Sequence, residues 1–399
     1  MSTTDEILSR ILKRASANIT KSVISDTDIG SRVEYVCRQI SNRACTRLLM
    51  ACLLAKIDRP DVDPRKPYTE IGDSDAFSGR SYDEKYITRF VYENRLPLNP
   101  TTAFLTPAFR NLDRPLTTDL DLVGRPRQVY KATLQLLDDV YQNKVTAEDL
   151  LTEIVRILLL MREEKQTRIN TLLAGLSSGD TLPLSSEEIV NLLEQHLKCK
   201  NSSRLPVLIV AAAYNSVREK LGEHILPLWS HNAADEQTGS LGDVEVCLEN
   251  DDHVVTVYEM KMKRVTVDDI DRALEKITST TRRIRAHQQQ RVDDIDRALE
   301  KIASATDRIH NYIFITTDVI SDEVKSHAAG CYEKTGGTEI AVLDCMGFLR
   351  HFLHFFHRSR AKFLDSYQDL VLSEPDSAVS QPLKEAFLAL RQAAEADRE

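Results

Sequence analysis

The first two hundred residues show the hydrophobic spacing of helices. Over Ile29–Lys56 apolar side chains recur at intervals of three and four, and no proline interrupts them, which predicts one helix with a single buried face. Three further helices are predicted over Arg127–Gln142, Ala147–Ile169 and Ser186–Leu197, the last with an N-cap serine and two glutamates in its first turn. We therefore interpret residues 1–203 as a mainly helical N-terminal region.

The segment at residues 60–126 breaks this pattern. It is rich in proline, glycine, aspartate and threonine, and a loop of that length inside a compact domain is more often functional than not. We therefore interpret it as a functional loop segment. A surface connection with one helix at Tyr82–Glu93 is the alternative, and the sequence leaves both open.

Beyond residue 203 the hydrophobic period changes. Leu205–Leu221 predicts a helix that ends at Gly222. Leu241–Leu248 and Val254–Met262 alternate in polarity, are rich in β-branched residues and flank a polar turn, which is the pattern of a β-hairpin. Later strands and helices alternate at Tyr312–Thr316, Glu323–Lys334, Glu339–Leu343 and Cys345–Phe363. This order predicts a mixed α/β fold with a central sheet flanked by helices over residues 204–364.

The remaining residues, 365–399, are mostly polar and contain one short helical pattern at Pro382–Ala394. Terminal segments of this composition commonly lie outside the packed core. We therefore predict a C-terminal appendage.

The chain contains an internal repeat in its second region. VDDIDRALEKITSTTRRI begins at Val267, and VDDIDRALEKIASATDRI begins 25 residues later at Val292, with three differences. Twenty-five residues return to within about 20° of the same helix face, so we interpret the repeat over 267–309 as structural. One helix of roughly 40 residues and a helical hairpin both remain open. Alternative candidates for phosphate contacts are Arg282, Arg283 and Arg285.

Composition excludes several classes of protein. The 399 residues are 42% hydrophobic and 28% charged, as in ordinary globular domains, and the longest apolar run is about ten residues, half of what a membrane span needs. Charges among the first residues predict no signal peptide. Seven scattered cysteines without a C-x-x-C pair favour reduced thiols over disulfides or zinc. We therefore expect a cytoplasmic protein that does not contact a membrane.

The net charge of −9 limits the kinds of partner that the protein is expected to bind. It argues against a uniformly basic nucleic-acid-binding protein but leaves open one basic surface. No G-x-x-x-x-G-K-[ST] motif occurs, so ATP-driven translocation is not implied. His351, His354 and His357 recur every three residues beside phenylalanines, and we interpret them as part of a packed helix rather than as a metal site.

Three residues form the pattern with the clearest chemistry. Glu259 and Lys261 are two apart on a predicted strand and so leave the same face, and Asp243 opens the partner strand of the hairpin. Converging carboxylates beside an ammonium group suit Mg²⁺ and the hydrolysis of a phosphodiester. Glu245 is a candidate second ligand, and Lys263 is an alternative lysine. A further carboxylate could come from the preceding helix, through Glu219 or Glu223.

This arrangement resembles the PD-(D/E)xK nucleases. The motif stands here as Gly242-Asp243 followed by Glu259-Met260-Lys261, with glycine where the family pattern has proline. The helix before the hairpin, and the helix and strand after it, are similar to that family's αβββαβ core. Three longer segments resemble the SacI-type restriction endonucleases: Lys66–Ile87, Asn99–Asn111 and Ser230–Val246.

The resemblance implies a type II restriction endonuclease that uses Mg²⁺ to cut double-stranded DNA at a short palindrome. Palindromic recognition implies a two-fold homodimer, and a restriction–modification system implies a cognate DNA methyltransferase. Residues 204–364 would form the nuclease core, and residues 60–126 would serve DNA recognition or dimerisation. Two alternatives remain open: a non-catalytic DNA-binding protein on the same fold, and a nuclease of DNA repair or of modified DNA.

Residues that read bases are expected in loops. Candidates are His231, Asn232, Asp235, Glu236 and Gln237 before the hairpin, and Arg80, Asp83, Lys85 and Arg89 in the 60–126 segment. Asparagine, glutamine, arginine and aspartate are among the types that hydrogen-bond to base edges in the major groove. They are also ordinary loop residues.

Overall fold

The computed structural model describes residues 3–39, 42–99, 101–176, 182–228, 240–249, 254–288 and 309–396, and within 279–288 it describes the backbone only. The chain divides into two compact units, Met1–Arg168 and Ile169–Glu399. The second copy of the repeat lies outside the described residues except for Ile309. The choice between one long helix and a hairpin therefore stays open.

The first unit is helical, as the hydrophobic spacing predicts. Its helices are α1 (Thr3–Ala17), α2 (Thr27–Cys37), α3 (Ala44–Asp58), α4 (Gly79–Tyr82), α5 (Thr88–Glu93), α6 (Arg127–Tyr141) and α7 (Ala147–Ala174), which continues into the second unit. Helix α3 is buried on every side from Cys45 to Ala55 and is the central helix of this unit. No helix in the described ranges is long and apolar enough to cross a membrane.

The single helix predicted over Ile29–Lys56 is two helices, α2 and α3. The prediction was wrong because apolar residues recur at helical spacing on both sides of the break. The first helix ends at Cys37, and Arg38 beyond it pairs with Glu34 and Glu164. The second helix, α3, begins at Ala44 and lies in the core.

Many side chains of residues 60–126 are buried in the core of the first unit, so this segment is more than a surface connection. The helix predicted at Tyr82–Glu93 is confirmed, because α4, a π-helical turn (Asp83–Ile87) and α5 form one continuous run. This run packs against α3. The buried apolar residues of the segment include Val62, Tyr68, Phe77, Ile87, Phe90, Leu96, Phe104, Phe109 and Leu116.

A buried ion pair ties this segment to α3. Asp83 and Arg47 are both fully buried, and Nε of Arg47 donates to Oδ1 of Asp83 at 3.0 Å. Oδ2 of Asp83 accepts from the Thr102 hydroxyl at 2.7 Å and from the Ala103 backbone N–H at 2.8 Å. The prediction that Asp83 reads base edges was therefore wrong, because a carboxylate in a polar stretch gives no sign in the sequence of being buried.

The second unit contains a five-stranded mixed sheet in the order β1-β2-β3-β4-β5. The strands are β1 (Glu223–Ile225), β2 (Val244–Leu248), β3 (Val254–Lys261), β4 (Asn311–Thr316) and β5 (Glu339–Asp344). Strand β2 is antiparallel to β1 and β3, whereas β3, β4 and β5 are parallel. The predicted mixed α/β class and the pairing of β2 with β3 are confirmed. Strand β1 is too short to show the alternation that predicts a strand.

Helices cover both faces of this sheet. They are α8 (Ser186–Leu197), α9 (Leu205–Leu221), α10 (Val267–Gln288), α11 (Asp322–Ala329), α12 (Cys345–Phe355), α13 (Arg360–Ser373) and α14 (Gln381–Ala396). The face with Val246 and Tyr258 shares a core with α8, α9, α12, α13 and α14. The opposite face, with Val257 and Phe314, packs against α10 and α11.

The second unit extends beyond the predicted nuclease core at 204–364 in both directions. The units divide at residues 168 and 169 rather than at 203 and 204, and α8 packs against α12 and α14. Residues 365–396 are no appendage, since α13 and α14 bury Tyr367, Val371, Phe387 and Leu388. These apolar residues are sparse in the sequence, but they fall on the one face of each helix that closes the core.

A buried histidine joins three of these helices. The Nδ1 atom of His196 on α8 lies 3.0 Å from the Tyr367 hydroxyl on α13, and Nε2 lies 2.9 Å from the Leu383 carbonyl oxygen on α14. Because a carbonyl oxygen only accepts, Nε2 carries the proton and Nδ1 accepts from the Tyr367 hydroxyl. Burial lowers the pKa of His196 to about 4, although the hydrogen bond to Leu383 opposes this effect.

We expect the free energy of unfolding to fall as the pH drops from 6.5 towards 4. The unfolded chain takes up a proton at the usual pKa of histidine, 6.5, whereas His196 in the folded state takes it up only near 4. This difference in pKa stabilises the folded state by about 3 kcal/mol. The stabilisation is present in full above the pKa of the unfolded state and is lost as the pH falls to the pKa of the folded state. Urea unfolding of the wild type and of His196→Gln at about pH 7.5 and about pH 4.5 measures this loss of stability. Equal losses in the two proteins would contradict the prediction.

None of the seven cysteines, all of which lie in the described ranges, forms a disulfide. Six are buried, and Cys199, just beyond α8, is partly exposed. Burial raises the pKa of Cys45 and Cys345 to about 12 and also raises that of Cys37 and Cys52. These four thiols therefore stay protonated and unreactive at neutral pH.

Candidate active site

The strand register places Asp243 opposite Glu259. Val244 pairs with Tyr258 across the antiparallel strands β2 and β3, and the backbone N–H of Asp243 donates to the Tyr258 carbonyl at 2.8 Å. Residues that oppose each other in an antiparallel pair extend to the same face. The two carboxylates therefore lie on the face that α10 covers, and Lys261 follows on that face two residues after Glu259.

Hydrogen bonds hold the start of β2 in place. The Oδ2 atom of Asp243 accepts from the backbone N–H of Met260 at 2.7 Å. Glu245 is buried, and its Oε1 accepts from the backbone N–H of Leu241 at 2.7 Å. Glu245 therefore shapes the turn that presents Asp243, in addition to being a candidate ligand.

Gly242 makes a close approach to β3. A Cβ at this position would lie 2.6 Å from the Val257 side chain and 2.8 Å from the Tyr258 carbonyl oxygen. Any residue with a Cβ, proline included, would force the two strands apart here. Glycine at this position thus has a steric reason in this chain.

Three groups surround the Glu259 carboxylate. Its Oε1 lies 3.2 Å from Nζ of Lys261. Its Oε2 lies 3.0 Å from the Tyr312 hydroxyl of β4 and 3.5 Å from Nζ of Lys276 on α10. Both oxygens are therefore held by donors, and only 18% of the side chain is exposed.

Lys261 has a second carboxylate partner, Asp269, in the first turn of α10. Its Nζ lies 3.5 Å from Oδ1 of Asp269, and Oδ2 accepts from the backbone N–H and the hydroxyl of Thr266 at 3.0 and 2.8 Å. Burial raises the pKa of Asp269, but the Thr266 hydrogen bonds and the charge of Lys261 outweigh it, so the pKa is lowered. Asp269 is therefore ionised at neutral pH.

Sequence reasoning missed Asp269, Lys276 and Tyr312. Thr266 and Asp269 form a capping box at the start of α10, and the spacing T-x-x-D directly after β3 was the available signal. No comparable signal marks Lys276 or Tyr312, because their positions depend on how α10 and β4 dock beside β3.

The other candidate residues in this part of the sequence do not lie beside Asp243 and Glu259. Lys263 is exposed beyond the end of β3, and Glu219 is exposed on α9. Glu223 lies on β1 opposite Leu248, which places it on the sheet face opposite to that of Asp243. Burial raises the pKa of Glu223. Neither glutamate joins the two opposed carboxylates.

The candidates for base contacts divide into two groups. His231, Asn232, Asp235, Glu236 and Gln237 lie outside the described residues. In the first unit, Arg80 pairs with Glu84 at 2.7 Å, Lys85 lies 5.0 Å from the centre of the Tyr86 ring, and Arg89 pairs with Asp5 and Glu93. Arg80, Lys85 and Arg89 are exposed, and a DNA contact for them stays a prediction.

His351 and His354 of α12, and His357 just after it, form no metal cluster. His354 pairs with Glu187 at 3.0 Å and His351 stacks on Phe355, while Phe352 and Leu353 are buried. The interpretation as a packed helix is confirmed. Within the described ranges, no group of three or more His, Cys, Asp or Glu is placed to hold a metal.

Asp243 and Glu259 are nevertheless of the ligand type that Mg²⁺ uses. That ion commonly binds through one or two carboxylates and keeps several waters, and Asp243 and Glu259 supply two oxygen-bearing groups on one face of adjacent strands. Lys261 and Lys276 place positive charge beside Glu259. Asp243 and Glu259 are thus the residues that would hold the ion.

No family model and no curated protein matches this chain.

Proposed function

We propose that the protein is a type II restriction endonuclease of the PD-(D/E)xK type, similar to SacI, that cuts double-stranded DNA at a short palindrome. The observation that carries the proposal is the position of Asp243 opposite Glu259, with Lys261 next to Glu259 on the same sheet face. Metal-assisted phosphodiester hydrolysis uses oxygen ligands for a cation and a positive group beside them.

Each residue has a distinct part in the proposed reaction. Asp243 and Glu259 would bind Mg²⁺, which supplies positive charge at the phosphate and lowers the pKa of a water molecule. Lys261 orients the attacking water or stabilises the negative charge that develops on the phosphate. Tyr312 fixes the orientation of Glu259 through its hydroxyl.

The proposal includes partners. One polypeptide that reads a palindrome acts as a homodimer in which each subunit cuts one strand, and a cognate DNA methyltransferase protects the host sites. The net charge of −9 is compatible with such an enzyme, because weak non-specific binding depends on how many phosphates the protein neutralises.

Digestion of unmethylated plasmid DNA tests the proposal. Discrete fragments with Mg²⁺, and none with EDTA or after methylation of the sites, are expected. A shift of the DNA in a gel without cleavage would instead support a non-catalytic DNA-binding protein. Cleavage confined to modified or damaged DNA would indicate the repair or modification-dependent alternative.

A further inference from the structure

Helix α10 brings two charged residues to the motif from outside it. Lys276 lies 3.5 Å from Glu259, and Asp269 lies 3.5 Å from Lys261. Together with the contact between Lys261 and Glu259 at 3.2 Å, the four side chains form a row of alternating charge on the sheet face that also carries Asp243.

Helix docking does not need this row. Ile270, Ala273 and Ile277 of α10 are at most 2% exposed and pack against the sheet, which supplies the hydrophobic stabilisation. The lysines are 29% and 31% exposed, and ion pairs of such groups contribute about 0–1 kcal/mol. Stability alone therefore gives little reason for two lysines on one carboxylate.

The length and the charge of the two lysine side chains suggest a different reason for their position beside Glu259. A lysine is a positive charge on a flexible four-carbon stem, and both ammonium groups lie within 3.5 Å of the Glu259 carboxylate. A phosphate brought to that carboxylate by its cation would lie within reach of both. Lys261 also pairs with Asp269, and Lys276 reaches the same carboxylate from α10.

We propose that Lys276 is a phosphate-binding residue of the same site and that Asp269 is the positioning residue that holds Lys261. This inference rests on the proposed nuclease function. Lys276 contributes to DNA affinity, while Asp269 contributes to the rate of cleavage through the placement of Lys261.

The repeat supplies matched controls. Lys301 and Asp294 hold the positions in the second copy of the repeat that Lys276 and Asp269 hold in the first. Lys276→Met and Lys301→Met therefore make the same change of charge, as do Asp269→Asn and Asp294→Asn.

Salt-dependent DNA binding in Ca²⁺ tests the role of Lys276. The slope of log affinity against log salt concentration should fall in magnitude by about 0.9 per subunit in Lys276→Met, since one phosphate contact is lost. Lys276→Arg and Lys301→Met should keep the wild-type slope. An unchanged slope in Lys276→Met would overturn its assignment.

Steady-state cleavage tests the role of Asp269. In Asp269→Asn, kcat should fall by about 10²-fold because Lys261 is misplaced, while KM and the salt slope stay as in the wild type. Asp294→Asn should leave kcat unchanged. An unchanged kcat in Asp269→Asn, or an equal loss in Asp294→Asn, would overturn the positioning role.

The wild type separates this inference from the proposed function. If the wild type cleaves DNA at discrete sites and Lys276→Met and Asp269→Asn behave like it, the inference fails and the nuclease stands. If the wild type neither binds nor cleaves DNA, the proposed function fails and the inference fails with it.

Discussion

Lys261→Ala should lower the rate of Mg²⁺-dependent DNA cleavage by about 10²–10⁴-fold, and Asp243→Asn should do at least as much. The first variant removes the ammonium group that lies 3.2 Å from Glu259. The second removes one of the two opposed carboxylates, yet its amide oxygen can still accept the Met260 N–H that Asp243 binds. We therefore expect both variants to lose activity because the chemical step is impaired and not because the protein unfolds.

Single-turnover digestion of plasmid DNA at saturating Mg²⁺ measures this effect. Lys263→Ala is the matched control, because it removes an exposed lysine two residues from Lys261 and should leave the rate unchanged. If both site variants still produce the wild-type fragments at the wild-type rate, the assignment of the active site is wrong. Loss of activity in Lys263→Ala alone would move the catalytic lysine to that position.

Breaking the buried pair between Arg47 and Asp83 should destabilise the protein by about 3–5 kcal/mol. Both side chains are fully buried. Arg47→Met leaves the Asp83 carboxylate with Thr102 and the Ala103 N–H but without its counter-charge. The cost arises because a charge buried without its partner loses its hydration and gains little in return.

Urea unfolding followed by circular dichroism measures the change. Arg59→Met is the control, because Arg59 and Asp61 form an exposed pair, 45% and 66% accessible, and such pairs contribute about 0–1 kcal/mol. The double variant Arg47→Met/Asp83→Asn should cost less than the sum of its single variants, since the two residues interact directly. Similar free energies of unfolding for Arg47→Met and Arg59→Met would refute the prediction.

The sheet and the motif on it were predictable from the sequence because a strand has a period of two. That period alone puts Glu259 and Lys261 on one face, and a short turn between two alternating segments predicts the antiparallel pairing that brings Asp243 towards them. The helix at Leu205–Leu221 was also predictable, since Gly222 adopts the left-handed conformation that ends it.

Features that depend on tertiary packing were not predictable. The docking of α10 decides that Asp269 and Lys276 face the site, and the second copy repeats the sequence VDDIDRALEKI that carries them. Asp83 stands in a polar stretch that suggests a loop, yet Arg47, 36 residues earlier, draws it into the core. The local sequence pattern shows the hydrophobic period of a helix or strand, but it does not show which other elements pack against it.

The distribution of cysteines gives the protein a ready point of attachment for a probe. Six thiols are buried and one, Cys199, is partly exposed, so a maleimide dye should react with the native chain at Cys199 alone. Mass spectrometry of the labelled and digested protein would verify the site. Energy transfer between two such dyes would then report whether two copies of the chain associate, with no cysteine added or removed.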